Sequence, residues 1–144
     1  MLAYIMLNPS TADADKDDAT IRRCIRFSQA EGFSAIEVVN LFAYRATDPR
    51  ALKRAGYQVG PSNNSQLALT AAEADVVCIA WGVNAHGLAR PVEVLMLLRR
   101  LKIQPHCLRI TRSGYPQHPL MLPTSCRMMP FTPDAIDLAM RVSN

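Results

Sequence analysis

Four short apolar runs, each closed by a polar, proline or glycine residue, alternate with segments of helical periodicity, and this alternation constrains the fold most. The first run covers residues 2–7 and stops at Asn8-Pro9, since proline cannot donate to a ladder. Residues 36–41, rich in β-branched side chains, make the second; residues 76–81 make the third, ending at Gly82. Residues 106–110 make the fourth. Between them the spacing predicts a helix over 19–31, capped by Asp17 or Asp18 and ended by Gly32. Its apolar stripe would hold Ile21, Ile25 and Phe27 with Ser28, leaving Arg22 and Arg26 on another face. Further helices are expected over 50–55, over 62–74, from Pro91 through Leu101, and over 133–142. Strand and helix in turn imply one α/β domain over 1–144. Its four-stranded parallel sheet would lie in a three-layer α/β/α sandwich with right-handed crossovers.

A parallel sheet sets its strand ends along one edge, and ligands bind beyond the carboxyl ends where strand order reverses. The polar residues fall there. Asn8 and Ser10 follow the first strand, Asn40 ends the second, and Trp81, Gly82, Asn84 and His86 follow the third. An asparagine can present a donor and an acceptor to a ligand or a water, although Asn8 also suits a simple turn. A buried Asn40 must either bond backbone or read a bound group, and asparagine pairs bidentately with a nucleobase edge. Tyr44 and Arg45 could stack on a flat anionic ligand or merely pack a loop. His118, in the loop beyond Gly114, is the foremost acid, base or electrostatic stabiliser, with His86 second. His106 starts a strand and belongs at the opposite edge in a structural role. Asp13, Asp15, Asp17 and Asp18 resemble half a calcium loop. Asp18 stands where that loop needs glycine and Cys24 where it needs an acid, so helix-start electrostatics is the plainer reading.

Composition narrows the classes. Hydrophobic residues make up 49%, enough for a core, yet no apolar run approaches the ~20 residues of a membrane span. The start lacks the basic region and cleavage site of a signal peptide, so a cytoplasmic setting is expected. Cys24, Cys78, Cys107 and Cys126 include no Cys-x-x-Cys pair and read as structural thiols; no metal and no cofactor is expected. A net charge of +4, carried by thirteen arginines to three lysines, admits a nucleic acid or a nucleotide-like small molecule as partner. Oligomeric state is not encoded legibly. The chain has no Gly-rich dinucleotide turn, no phosphate-binding lysine loop and no Gly-x-Ser-x-Gly elbow, which argues against dehydrogenases, nucleoside triphosphatases and serine hydrolases.

Met6-Leu7-Asn8-Pro9-Ser10-Thr11-Ala12-Asp13, Val39-Asn40-Leu41-Phe42-Ala43-Tyr44-Arg45, Ala80-Trp81-Gly82 and His118-Pro119-Leu120 together resemble the bacterial and phage domain-of-unknown-function family numbered 1643. Ala19 stands where that family usually has a proline after its paired aspartates. A more distant similarity is to the uracil-DNA glycosylase superfamily, a four-stranded parallel α/β/α sandwich. Asn8-Pro9 is similar to the motif whose polar side chain positions the attacking water. Asn40 resembles the strand-end asparagine that reads a flipped base. His118-Pro119 resembles the His-Pro that stabilises the departing base and touches DNA. Leu120-Met121-Leu122 replaces the small residues usual after that His-Pro.

The resemblance implies an N-glycosidic hydrolase acting on a nucleobase, in DNA or in a nucleoside-type compound. Asn8 would orient water with Asp13 in reserve, and His118 would stabilise charge on the leaving base. Ser10, Asn40, Tyr44, Arg45, Trp81 and Gly82 would bind substrate. A non-catalytic nucleotide or nucleic-acid binding domain is the alternative, and a partner-binding accessory protein a third.

Overall fold

Side-chain alternation along the first strand explains the layering. In the computed structural model, which describes residues 1–7, 14–42 and 62–132, β1 is Leu2–Met6. Leu2, Tyr4 and Met6 bury on one face against Cys24 and Phe27 of α1 (Ala14–Ala30). Ala3 and Ile5 bury on the other against Leu67 and Ala71 of α2 (Asn63–Glu73) and Val94, Leu95 and Leu98 of α3 (Arg90–Arg100). A strand covered on both faces must be apolar throughout, which is why its sequence shows no polar alternation.

The remaining strands are β2 (Ile36–Asn40), β3 (Val76–Ile79), β4 (Pro105–Cys107) and β5 (Met129–Pro130), in sheet order β2-β1-β3-β4-β5. Strands β1 to β4 pair in parallel. The chain leaves β1 toward β2, then crosses back to β3 and on to β4. Right-handed crossovers therefore require α1 on one face and α2 with α3 on the other, as observed. The reversal of direction lies between β1 and β3, so the carboxyl ends of these neighbours flank the crevice of an open α/β sheet.

Four expectations need correction. The sheet has five strands rather than four, because Met129–Pro130 adds an antiparallel edge to β4. Two residues carry no periodic signal, and proline suits an edge strand that need not donate outward. Strands β3 and β4 stop short of 81 and 110 for a shared reason. Past Cys107 the chain folds into its own hairpin, with Ile110 bridged to Pro116, and Gly82 N–H donates to Pro116 at 2.9 Å instead of continuing a ladder. Helix α1 begins at Ala14, so positions 17 and 18 lie inside its first turns and neither is its cap residue. Finally, Ile21 and Ile25 are about 40% exposed, while Cys24, Phe27 and Ser28 face the sheet. Tyr4 sets that rotation: its buried hydroxyl donates to Cys24 O at 2.9 Å and meets Ser28 Oγ at 3.0 Å. A buried phenol must find such partners.

Gly32 ends α1 in the left-handed conformation, with Phe33 N–H returning to Ser28 O at 2.9 Å, as expected of a helix-terminal glycine. Helix α2 matches its predicted range closely, and Pro91 sits in the first turn of α3. The helices expected over 50–55 and 133–142 lie outside the described residues. No helix among the described residues is long and apolar enough to cross a membrane.

Candidate functional site

The carboxyl edge collects polar groups from elements far apart in sequence. Asn40 is the last residue of β2 and stands level with Met6, the last of β1. Leu41 N–H donates to Met6 O at 2.8 Å, which fixes that end of the pair. The Asn40 Oδ1 atom is buried and has no hydrogen-bond partner among the described residues. Leaving a buried carbonyl unsatisfied costs about 1–3 kcal/mol, so this acceptor asks for a donor.

A buried arginine holds Asn40's backbone in place. Arg90 is 4% exposed. Its Nε donates to Leu41 O at 2.8 Å and its Nη2 to Asn63 Oδ1 at 2.8 Å, while Asn63 Nδ2 donates to Asn40 O at 3.2 Å. Its remaining amino group meets the exposed Glu93 carboxylate at 3.2 Å. The first residues of α2 and α3 are thus tied to the end of β2. Sequence reading passed over Arg90 and Asn63, although a signal existed. An arginine in a helix's first turn opposes the macrodipole. It is tolerated only where other groups hold it.

Gly82 and His118 meet at the end of β3. Gly82 has φ +77° and ψ −178°, a conformation essentially reserved for glycine. A side-chain carbon there would stand 3.3 Å from His118 Cβ, so the missing side chain is what lets His118 lie against the backbone. His118 opens a 3-10 turn, Pro119–Met121, and its Nδ1 accepts from Leu120 N–H at 3.1 Å. With Nδ1 accepting, the proton of the neutral ring sits on Nε2. His86, beyond the same strand, is exposed and pairs through Nδ1 with the buried Tyr115 hydroxyl at 2.9 Å, the two rings edge to face. Tyr115 precedes Pro116, the residue bonded to Gly82, so this pair braces the hairpin beside the glycine.

Trp81 is 2% exposed and packs within the α2 and α3 face of the core. Phe42 is likewise buried. Asn8, Ser10, Asp13, Tyr44 and Arg45 lie outside the described residues. The structure therefore brings Asn40, Gly82 and His118 to one edge of the sheet, with His86 following β3 at the same end and Trp81 in the core. Among the described residues no three His, Cys, Asp or Glu side chains gather where they could hold a metal ion.

His106 sits in β4, and its Nδ1 meets Gln104 O at 3.2 Å. It lines a depression of about 430 Å³ at the amino edge, with Asp75, Lys102 and Gln104. Asp75 is there engaged by the chain's terminal ammonium. That edge lies away from the strand ends discussed above.

A family model described as Protein of unknown function (DUF1643) matches residues 1–120, a span that includes Asn8, Asn40, Gly82 and His118. No curated protein and no solved structure matches the chain.

Proposed function

The chain belongs to the DUF1643 family, and from the crevice of this member we propose hydrolysis of an N-glycosidic bond to a nucleobase by a glycosylase-like α/β/α domain. One observation carries the reading: the buried Asn40 Oδ1 acceptor at the end of β2, without a partner among the described residues. A nucleobase bearing an imino or amino N–H supplies the donor, and the amide's own N–H₂ answers an adjacent acceptor. Four parallel strands between two helical layers, with His118 held at the same edge by Gly82, support the assignment.

In this reading water attacks the sugar carbon as the bond to the base nitrogen breaks, and the base departs with the electron pair. The His118 Nε2 proton faces developing negative charge on the base, which preorganised donors stabilise without reorganisation. Asn8, two residues past the end of β1 in sequence, orients the water, and Asp13 is the carboxylate available to take its proton. Trp81 supports the crevice floor, while Ser10, Tyr44 and Arg45 complete the substrate contacts.

The test is release of base from uracil-, hypoxanthine- and mismatch-containing DNA and from free nucleosides, for wild type and for Asn8→Ala, Asn40→Ala and His118→Ala. We expect cleavage in the wild type and a loss of roughly 10²–10³-fold for His118→Ala, as for removal of one charge-stabilising donor. Cleavage that survives all three substitutions would refute the assignment. The second reading, a binding domain without chemistry, is favoured by Asn8 itself, because an amide cannot accept a proton as a carboxylate does. It prevails if no substrate is cleaved while bases or nucleotides bind and Asn40→Ala abolishes binding.

A further inference from the structure

Between Glu93 and Asp134 the chain has no carboxylate, yet it carries Arg99, Arg100, Lys102, Arg109, Arg112 and Arg127. The fold divides these cations. Arg99 and Arg100 end α3, which packs on one face of the sheet. Arg109 and Arg127 belong to the segment around His118, whose Leu122 packs on the opposite face beside α1. Arg109 Nη2 approaches Cys126 Sγ at 3.5 Å, and Arg127 Nη1 donates to Thr124 O at 3.2 Å and Cys126 O at 3.1 Å. From α1, Arg23 Nη1 donates to Leu122 O at 2.7 Å. Arg112 is exposed in the turn that leads back toward His118.

The guanidinium groups of Arg23, Arg109 and Arg127 are anchored through neutral acceptors. No carboxylate pairs with Arg23, Arg109, Arg112 or Arg127 among the described residues. The one acid seen touching this segment, Glu31, accepts from Met128 N–H at 2.9 Å. Arginines gathered on one segment without counter-charges among the described residues repel one another, a cost that an approaching polyanion removes.

We propose that this surface, formed by Arg23, Arg109, Arg112 and Arg127 around residues 119–127, docks the phosphate backbone of a nucleic acid. The proposal rests on the nucleobase reading of the crevice and sharpens it: the base is presented by a polymer and not by a free nucleoside. Arginine forks match phosphate oxygens bidentately, and backbone contacts fix register without reading sequence. The segment begins at His118, so a strand lying on these arginines passes the mouth of the crevice.

The test is fluorescence anisotropy of a labelled 20-nucleotide duplex and its single strand, titrated between 50 and 200 mM salt (about these values suit the expected slope). Three to four phosphate contacts predict a roughly 40-fold or greater loss of duplex affinity over that fourfold rise. Arg109→Gln, Arg112→Gln and Arg127→Gln should each lower affinity on unrelated sequences alike and reduce the salt slope by about one. Arg99→Gln and Arg100→Gln on α3 should change neither. Thermal melts of each variant separate lost contacts from lost folding. Wild type that binds no DNA at the low-salt end, or α3 variants that weaken binding as much as the loop variants, would overturn the proposal. Arginine-dependent binding to phosphatidylserine vesicles but not to DNA would overturn it too. Cleavage of free nucleosides without polymer binding sinks this surface and leaves the crevice standing. Arginine-dependent DNA binding without cleavage does the reverse to the hydrolase.

Discussion

Gly82 shows how much one side chain's absence can position another. Its backbone adopts a conformation that costs other residues about 1–3 kcal/mol, and an added methyl group would meet His118 Cβ at 3.3 Å. Gly82→Ala should therefore lower stability by about 1–3 kcal/mol in urea denaturation and shift His118 off the strand end. A variant as stable as wild type would remove the argument for His118's placement. The importance of Asn40 was readable from sequence, because an amide closing a Val-rich strand is out of keeping with its neighbours. That its Oδ1 would be left buried without a partner among the described residues was not readable. Satisfaction of a buried atom depends on groups brought by α2 and α3, tens of residues away.

Among the elements, α3 is held to β2 by Arg90 more than by its own capping, since Ala89 at its N-cap offers no side-chain bond. Replacing this arginine with methionine keeps much of the volume but strands Leu41 O and Asn63 Oδ1. We expect Arg90→Met to cost about 2–4 kcal/mol in urea denaturation, with Glu93→Gln within about 0.5 kcal/mol because that partner is exposed. If both substitutions behave alike, the exposed ion pair and not the buried bonds carries the effect. Element existence was legible for all three described helices and for the four parallel strands, from periodicity and from Gly32, Gly82 and Pro91. The facing of α1 was not. Ile21 and Ile25 satisfy an apolar stripe as well as Cys24 and Phe27 do, and the choice between them fell to Tyr4's hydroxyl across the layer. Strand ends were misplaced for a similar reason: the residues after Cys107 are good strand formers, but they pair with their own return segment.

At the scale of the whole molecule, thiols on both faces of the sheet make stability depend on pH. Burial pushes the Cys107 thiol up to about 11, the Cys24 thiol up to about 12 and Cys78 well above its ordinary 9.0. Burial likewise raises the Tyr4 phenol, with its Ser28 hydrogen bond opposing. Each folded-state value lies above the unfolded one, so the native chain retains protons that the unfolded chain releases. Stability is then fully present below pH 9 and falls as pH rises from 9 through 11, by on the order of 1 kcal/mol per pH unit for each thiol. Urea midpoints measured from pH 7 to 11 should decline above 9, and Cys107→Val should make that decline shallower (the pH limits bracket about two units of titration on the low side). A flat profile would contradict burial of the thiols. By itself the sequence determined the alternation of strand and helix, the parallel sheet and the edge to which Asn40 and His118 belong. Those properties follow from periodicity and chain direction, which are local. Only the tertiary structure decided which face of α1 is buried, that Arg90 anchors β2, that Gly82 seats His118, and that the arginines after Glu93 divide between two faces. Each of these depends on contacts between residues remote in the chain, and such contacts leave no local pattern to read.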